Sequence, residues 1–268
     1  MTMNRSRSIA ALLCVALLSA CGENAVQKIT TALPGSAIRF YNFGVCGTSP
    51  TVTTSCMPSV NFYANDTKMT AIGSTSGAES SSGTAYTAVG NNGLYSGIAP
   101  GQYTISGRIS AAGPDKDAAV SNTPVTLADG KAYSYYLSGF YNTTAKLVDS
   151  FVVEDDLPAI DFSVIYVRFV NAIANSNPMT LFAKNTTTGT ETAVGAEIAY
   201  KGAGAFVSLA PGTYDLSTRY SGSSTNVISR TAVAFVPGKI YTISARGDIT
   251  ITSTTAINRP VLDNTANQ

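Results

Sequence analysis

The chain has 268 residues, 17 lysines and arginines against 16 acidic residues, no histidine, no tryptophan, and only 12% charged residues. A formal charge of +1 provides no field that would recruit nucleic acid or an anionic membrane. The missing histidine removes Ser-His-Asp and Cys-His nucleophilic sites and histidine-ligated zinc. The abundance of Thr, Ser, Ala and Gly is the profile of an extracytoplasmic β protein.

Arg5 and Arg7 give a positive start, and Ile9 to Ala20 follow without a charge. Twelve such residues in a helix would span about 18 Å, short of the roughly 30 Å hydrocarbon core of a bilayer. The segment therefore reads as the hydrophobic region of a secretory signal and not as a membrane span. It ends in Leu18-Ser19-Ala20-Cys21, which resembles the lipobox of bacterial lipoproteins. The resemblance implies a signal peptide over 1–20, cleavage before Cys21, a diacylglycerol on its thiol and an acylated amino terminus. One acyl chain holds a protein marginally and two or three hold it stably. Gly22 after the cysteine, where an aspartate would retain a lipoprotein at the inner membrane, implies the outer membrane. Residues 21–36 are expected as a lipidated tether containing Pro34 and Gly35. Loss of Arg5 and Arg7 leaves 15 bases against 16 acids, a mature charge of −1.

Ile38-Arg39-Phe40-Tyr41-Asn42 opens the folded part as a strand. A Gly/Thr/Ser/Pro loop follows, bracketed by Cys46 and Cys56. In an oxidising compartment these two pair as a disulfide; a metal pair is the alternative, and two thiols without histidine make a poor metal site. Next come Phe62-Tyr63-Ala64, the turn and strand Ala99-Pro100-Gly101-Gln102-Tyr103, then Gly130-Lys131-Ala132-Tyr133. The same blocks return in the same order as Val167-Arg168-Phe169-Val170-Asn171, Leu181-Phe182-Ala183, Ala210-Pro211-Gly212-Thr213-Tyr214 and Gly238-Lys239-Ile240-Tyr241, with Arg108 matching Arg219. The first copy is longer by the cysteine segment. Period-two alternation makes the blocks strands with one buried face, and Pro-Gly supplies turn chemistry before a strand. The expectation is all-β: two tandem antiparallel β-sandwiches, immunoglobulin-like or prealbumin-like, each of about six or seven strands. The first spans 37–160 and the second 161–258, with 259–268 as a C-terminal tail.

Three features of the first copy are candidate sites. Tyr133 to Tyr141 is the most aromatic stretch. Tyr133, Tyr135 and Leu137 align with core positions of the second copy, whereas Tyr136 aligns with Ser244 on the opposite face, and Phe140 and Tyr141 lie beyond the strand. Exposed, Tyr136, Phe140 and Tyr141 would stack on sugar rings or anchor a protein; the plainer reading is packing against the neighbouring domain. Glu154-Asp155-Asp156 reads as calcium ligands at the domain junction or as a solvated strand end, and the second copy lacks the cluster. No motif selects a catalytic pair.

The Arg-Phe-x-Asn strand, the Ala-Pro-Gly-x-Tyr turn and strand, the Gly-Lys-x-Tyr strand and the acidic "EDDL" together resemble the domain-of-unknown-function 4397 family over residues 37–258. That family occurs in bacterial lipoproteins and secreted proteins, often as tandem copies, and implies no activity. The chain departs from it where a Ser-Pro-Asp-Ala-Pro-like turn would follow the first strand: the first copy has the cysteine insertion there and the second has Ala174-Asn175-Ser176-Asn177-Pro178. The expectation is a non-enzymatic, lipid-anchored envelope protein without cofactor or metal. It would bind a glycan or an envelope protein, or serve as a structural spacer or periplasmic scaffold.

Overall fold

A computed structural model describes residues 35–47, 55–70, 82–110 and 112–267. The first copy supplies β1 (Ser36–Asn42), β2 (Val60–Ala64), β3 (Thr67–Lys68), β4 (Ser96–Ile98), β5 (Gly101–Ile109), β6 (Ala119–Leu127), β7 (Ala132–Asn142) and β8 (Leu147–Asp155). The second supplies β9 (Ile165–Asn171), β10 (Met179–Asn185), β11 (Glu191–Ile198), β12 (Val207–Leu209), β13 (Gly212–Arg219), β14 (Ile228–Phe235), β15 (Ile240–Arg246) and β16 (Val261–Ala266). Among the described residues each copy has eight strands, more than the repeats alone indicate, because short edge strands such as β3 and β4 leave little periodic signal.

The strands form four sheets, β4-β1-β7-β8 and β3-β2-β5-β6 in the first copy, β12-β9-β15-β16 and β11-β10-β13-β14 in the second. The two copies have one topology. In both, the first strand lies inside its sheet and runs parallel to the seventh, with Phe40 beside Tyr135 and Phe169 beside Ile243. An immunoglobulin sandwich distributes its strands as ABED and CFG, so of the two expected topologies the prealbumin-like order is the one adopted. The 259–268 segment is not a tail: β16 pairs with β15 along its length, and Leu262 is fully buried. Likewise Ser36, assigned to the tether, opens β1.

The repeated motifs have local physical causes. Gly101 and Gly212 both take φ of 154°, a backbone that disfavours side chains. The tyrosine two residues on then donates its hydroxyl proton to the carbonyl before the proline: Tyr103 to Ala99 at 2.9 Å and Tyr214 to Ala210 at 2.7 Å. Ala-Pro-Gly-x-Tyr is thus a turn locked by its own side chain. The Gly-Lys-x-Tyr block works the same way, its tyrosine hydroxyl accepting from the backbone N–H of the preceding turn, Ala128 to Tyr133 at 3.0 Å and Val236 to Tyr241 at 3.1 Å.

Each sandwich encloses its own core. Phe40 stacks on Phe62 in the first, with Tyr135 at their edges; Phe169, Leu181, Leu216 and Ile243 fill the second. The Cys46–Cys56 disulfide, with Cα atoms 5.4 Å apart, closes the insertion against the first core, where Cys46 and Met57 are buried. Closing so short a loop stabilises by about 2–3 kcal/mol in the chain-entropy model. Residues 35–268 form one compact unit, because a third apolar cluster joins the outer faces of two sheets: Tyr41, Phe43, Tyr136 and Phe151 from β4-β1-β7-β8 against Val170 and Ala172 from β9 and its end.

Candidate functional site

The face-to-face junction contains the first expected contact residue. Tyr136 does alternate away from the core of its own sandwich, and it is fully buried all the same. Its ring is stacked between Tyr41, 4.3 Å between centroids, and Phe151, 4.9 Å. Burial pushes its hydroxyl well above the usual tyrosine range. The expectation of an exposed Tyr136 is therefore corrected, and the cause is the neighbouring domain. Phe140 and Tyr141 lie within β7, not beyond it, after a register shift that follows Ser138. Phe140 is 38% exposed. Tyr141 is half-buried against the first core and lines a cleft of about 340 Å³ beside Cys56 and Met57. The three aromatics form no common surface.

The acidic run also divides by alternation. Glu154 meets Lys131 at 2.7 Å on the surface, and Asp156 is exposed. Asp155 points the opposite way and is 2% exposed, so it is not part of a solvated strand end. Its Oδ2 accepts from the hydroxyls of Tyr95 and Ser134, each at 2.6 Å, and its Oδ1 accepts from Arg168 Nη2 of the second sandwich. Among the described residues no group of three His, Cys, Asp or Glu side chains is placed to hold a metal ion. Glu154 and Asp155 point to opposite faces at the end of β8, so the run does not converge on one ion.

Sequence reasoning missed the polar lock around Asp155, which is pseudo-symmetric. Arg39 and Arg168 occupy the same position in β1 and β9, and both are buried. Arg39 Nη1 donates to the Ala266 carbonyl in the other sandwich at 2.9 Å; Arg168 Nη1 donates to the Glu154 carbonyl at 3.1 Å. Each guanidinium lies over an aromatic ring of its own copy, Arg39 over Tyr95 at 4.2 Å and Arg168 over Phe206 at 4.8 Å. Asp155 has Asn267 as its counterpart: Ser134 donates to Asp155, and Thr242 donates to Asn267 at 3.0 Å. Burial disfavours the Arg168 charge, and Asp155 beside it, with Tyr136 and Tyr95, offsets burial and holds the guanidinium pKa above its usual value. Burial, then Asp155, pushes the Tyr95 hydroxyl up. The one available signal was an arginine in the middle of an apolar strand, in both copies.

At the far end of the junction Tyr200 and Lys201 reach across to Asp149, and Tyr86 donates to the Ile257 carbonyl at 3.2 Å. What remains open is a groove of about 590 Å³ between the turn Val89–Tyr95 and the outer edge of β16, Asn264–Asn267, with Leu94 70% exposed on its rim. That volume is within the range of small-molecule pockets. On the outward faces of the other two sheets, Arg108 lies over Tyr63 and Arg219 over Phe182, each at 4.4 Å, and Asp66 and Glu191 pair with the two arginines. The aligned arginines are therefore surface braces repeated in both copies.

Cys21 lies outside the described residues, so the structure bears on its lipidation in neither direction. A search of curated proteins finds no match. A family model matches residues 165–268, the whole second sandwich through β16. That model is the one described as a domain of unknown function (DUF4397), and residues 165–268 are what resembles it.

Proposed function

We propose that this is a lipid-anchored, non-enzymatic protein of the cell envelope, held at the outer membrane through Cys21, whose two sandwiches act as one rigid scaffold or display block. The observation that carries this reading is the junction. The most aromatic surface of the first sandwich is used to hold the second, and both buried arginines donate to a carbonyl across it. A pair joined face to face through a buried aromatic and ionic interface holds its orientation, which is what a spacer or platform requires. The lipobox-like Leu18-Ser19-Ala20-Cys21 and Gly22 support the location, and the missing histidine supports a role without catalysis. A binding module remains the second reading because of the groove beside Leu94 and Asn264, whose buried side-chain oxygen has no hydrogen-bond partner.

The test is to fractionate cells expressing the chain with an epitope tag after Gln268, beside a Cys21→Ala variant, and to label them intact and after gentle lysis. Retention in the outer membrane that requires Cys21, with an acyl mass on the processed chain, is the expected result. Equal retention of both forms would sink the anchor. Labelling of intact cells would favour display at the surface, and labelling only after lysis would favour a periplasmic scaffold.

A further inference from the structure

Ile160, Phe162 and Val236 are three of the six large exposed hydrophobic residues among those described, and they sit on two adjoining segments, the link from β8 to β9 and the turn before β15. Phe162 is 80% exposed, yet its ring is not loose: a Cβ placed on Gly238 would come within 2.7 Å of its Cδ1, so the ring rests on the turn that Val236 opens. The backbone fixes that contact, with Gly238 N–H donating to the Val164 carbonyl at 3.0 Å. Ile160 is two residues away on the segment between β8 and β9. The result is a small, preformed apolar knob.

Its place in the fold gives it a meaning. Gly238–Val164 in the second copy corresponds to Gly130–Gly35 in the first, where Gly130 N–H donates to the Gly35 carbonyl at 2.9 Å. The junction sets β1 and β9 side by side with their starts together, because Arg39 reaches the end of β16 and Arg168 the end of β8. Gly35, where the tether enters, and Phe162 are therefore at one end of the molecule. Only the 13 residues 22–34 separate Cys21 from Gly35, and a chain of that length spans at most about 45 Å. With Cys21 in a bilayer, that end is the one held close to it.

We infer that this end is a lipid-contacting face: Phe162, with Ile160 and Val236 beside it, enters the headgroup and upper acyl region of the membrane that holds Cys21. The inference rests on the lipid anchoring proposed above and adds an orientation to it. Interfacial insertion of this kind buries apolar side chains roughly 5–10 Å into the headgroup and acyl boundary. The knob alone is too small for stable attachment; tethering supplies the effective concentration that makes a weak contact persistent. The exposed charges nearby are Asp129, Asp156 and Asp161 against Lys239, beside the Lys131–Glu154 pair, a small acidic excess that fits a zwitterionic surface and not an anionic one.

Because the chain has no tryptophan, one can be placed as the sole reporter. Phe162→Trp and Val236→Trp report from the knob, and Leu147→Trp, half-exposed at the opposite end of β7-β8, is the control. Each is purified from membranes in its lipidated form and incorporated into phosphatidylcholine vesicles with brominated acyl chains. The expected result is emission shifted to shorter wavelength and several-fold stronger quenching at positions 162 and 236 than at 147. Equal, weak quenching at all three in protein that floats with the vesicles would overturn the lipid-contacting face and leave the anchor standing. A shift at 162 that depends on protein concentration and is insensitive to bromine would assign the knob to a second copy and overturn it. Failure to float, with no acyl mass on Cys21, would remove the anchor and the inference with it.

Discussion

At the scale of single residues, the most consequential group is Asp155. It is the acceptor for Tyr95, Ser134 and Arg168, and its removal leaves the Arg168 guanidinium buried between two sandwiches without a counter-charge. Breaking one member of a buried pair costs about 3–5 kcal/mol, more than the pair contributes over an apolar replacement. Asp155→Ala should therefore lower the urea midpoint by an amount corresponding to that range, and an effect below about 1 kcal/mol, the value of an exposed pair, would refute the reading. Tyrosines at the junction give a complementary effect at high pH. Burial raises the pKa of Tyr41 and Tyr136 above the ordinary 10.0. The folded chain then keeps protons that the unfolded chain releases. Their contribution to stability is full below pH 10.0 and falls as pH rises through the folded values, by about 1.4 kcal/mol per pH unit for each tyrosine withheld. Urea midpoints measured on either side of that pH should decline on the alkaline side; a flat profile would show both hydroxyls reach solvent.

At the scale of elements, the sequence carries the shape of one sandwich better than the relation between two. Four repeated blocks located β1, β2, β5 and β7 and their counterparts, because each pairs a period-two core face with a turn held by its own tyrosine. The weak elements were the edges. β3 has two residues, β4 three, and β16 carries a mostly polar Val261–Ala266, which reads as a tail until β15 is seen to need an outer partner. Alternation also says which side chains leave the core without saying what covers them. Tyr136 was placed correctly on the outer face and wrongly in solvent. A clue was present: Tyr41, Phe43 and Tyr136 make the first copy's central strands apolar on both faces, the pattern of strands buried on both sides. The clue is faint because the second copy meets those rings with small side chains, Val170, Ala172 and Ser244, among polar ones such as Arg168 and Tyr200, and these carry little hydrophobic signature of an interface. The same one-sidedness hides the polar lock, since Asn267 stands where Asp155 would mark it a second time.

For the whole molecule, the question is whether the two sandwiches behave as one thermodynamic body. Each has its own core, and each could in principle melt alone. The junction opposes this by burying four aromatic rings of the first sandwich and two arginines that each donate to a backbone carbonyl across it. A sandwich that unfolds alone would expose Tyr41 and Tyr136, or strand a buried guanidinium, so the pair should unfold in a single transition. Tyr136→Ser introduces the residue that the second copy holds at this position, Ser244. It leaves β7 and the first core in place, since the ring contacts none of the core side chains Phe40, Phe62 or Tyr135. Truncating a buried aromatic costs about 3–5 kcal/mol. Here the loss falls on the coupling between sandwiches, and calorimetry should resolve two transitions where the parent chain gives one. A variant that still melts as one unit, at a lower temperature, would place the coupling in the arginine lock. Unchanged melting would mean that the aromatic stack holds nothing together, and the rigid block would lose its main support.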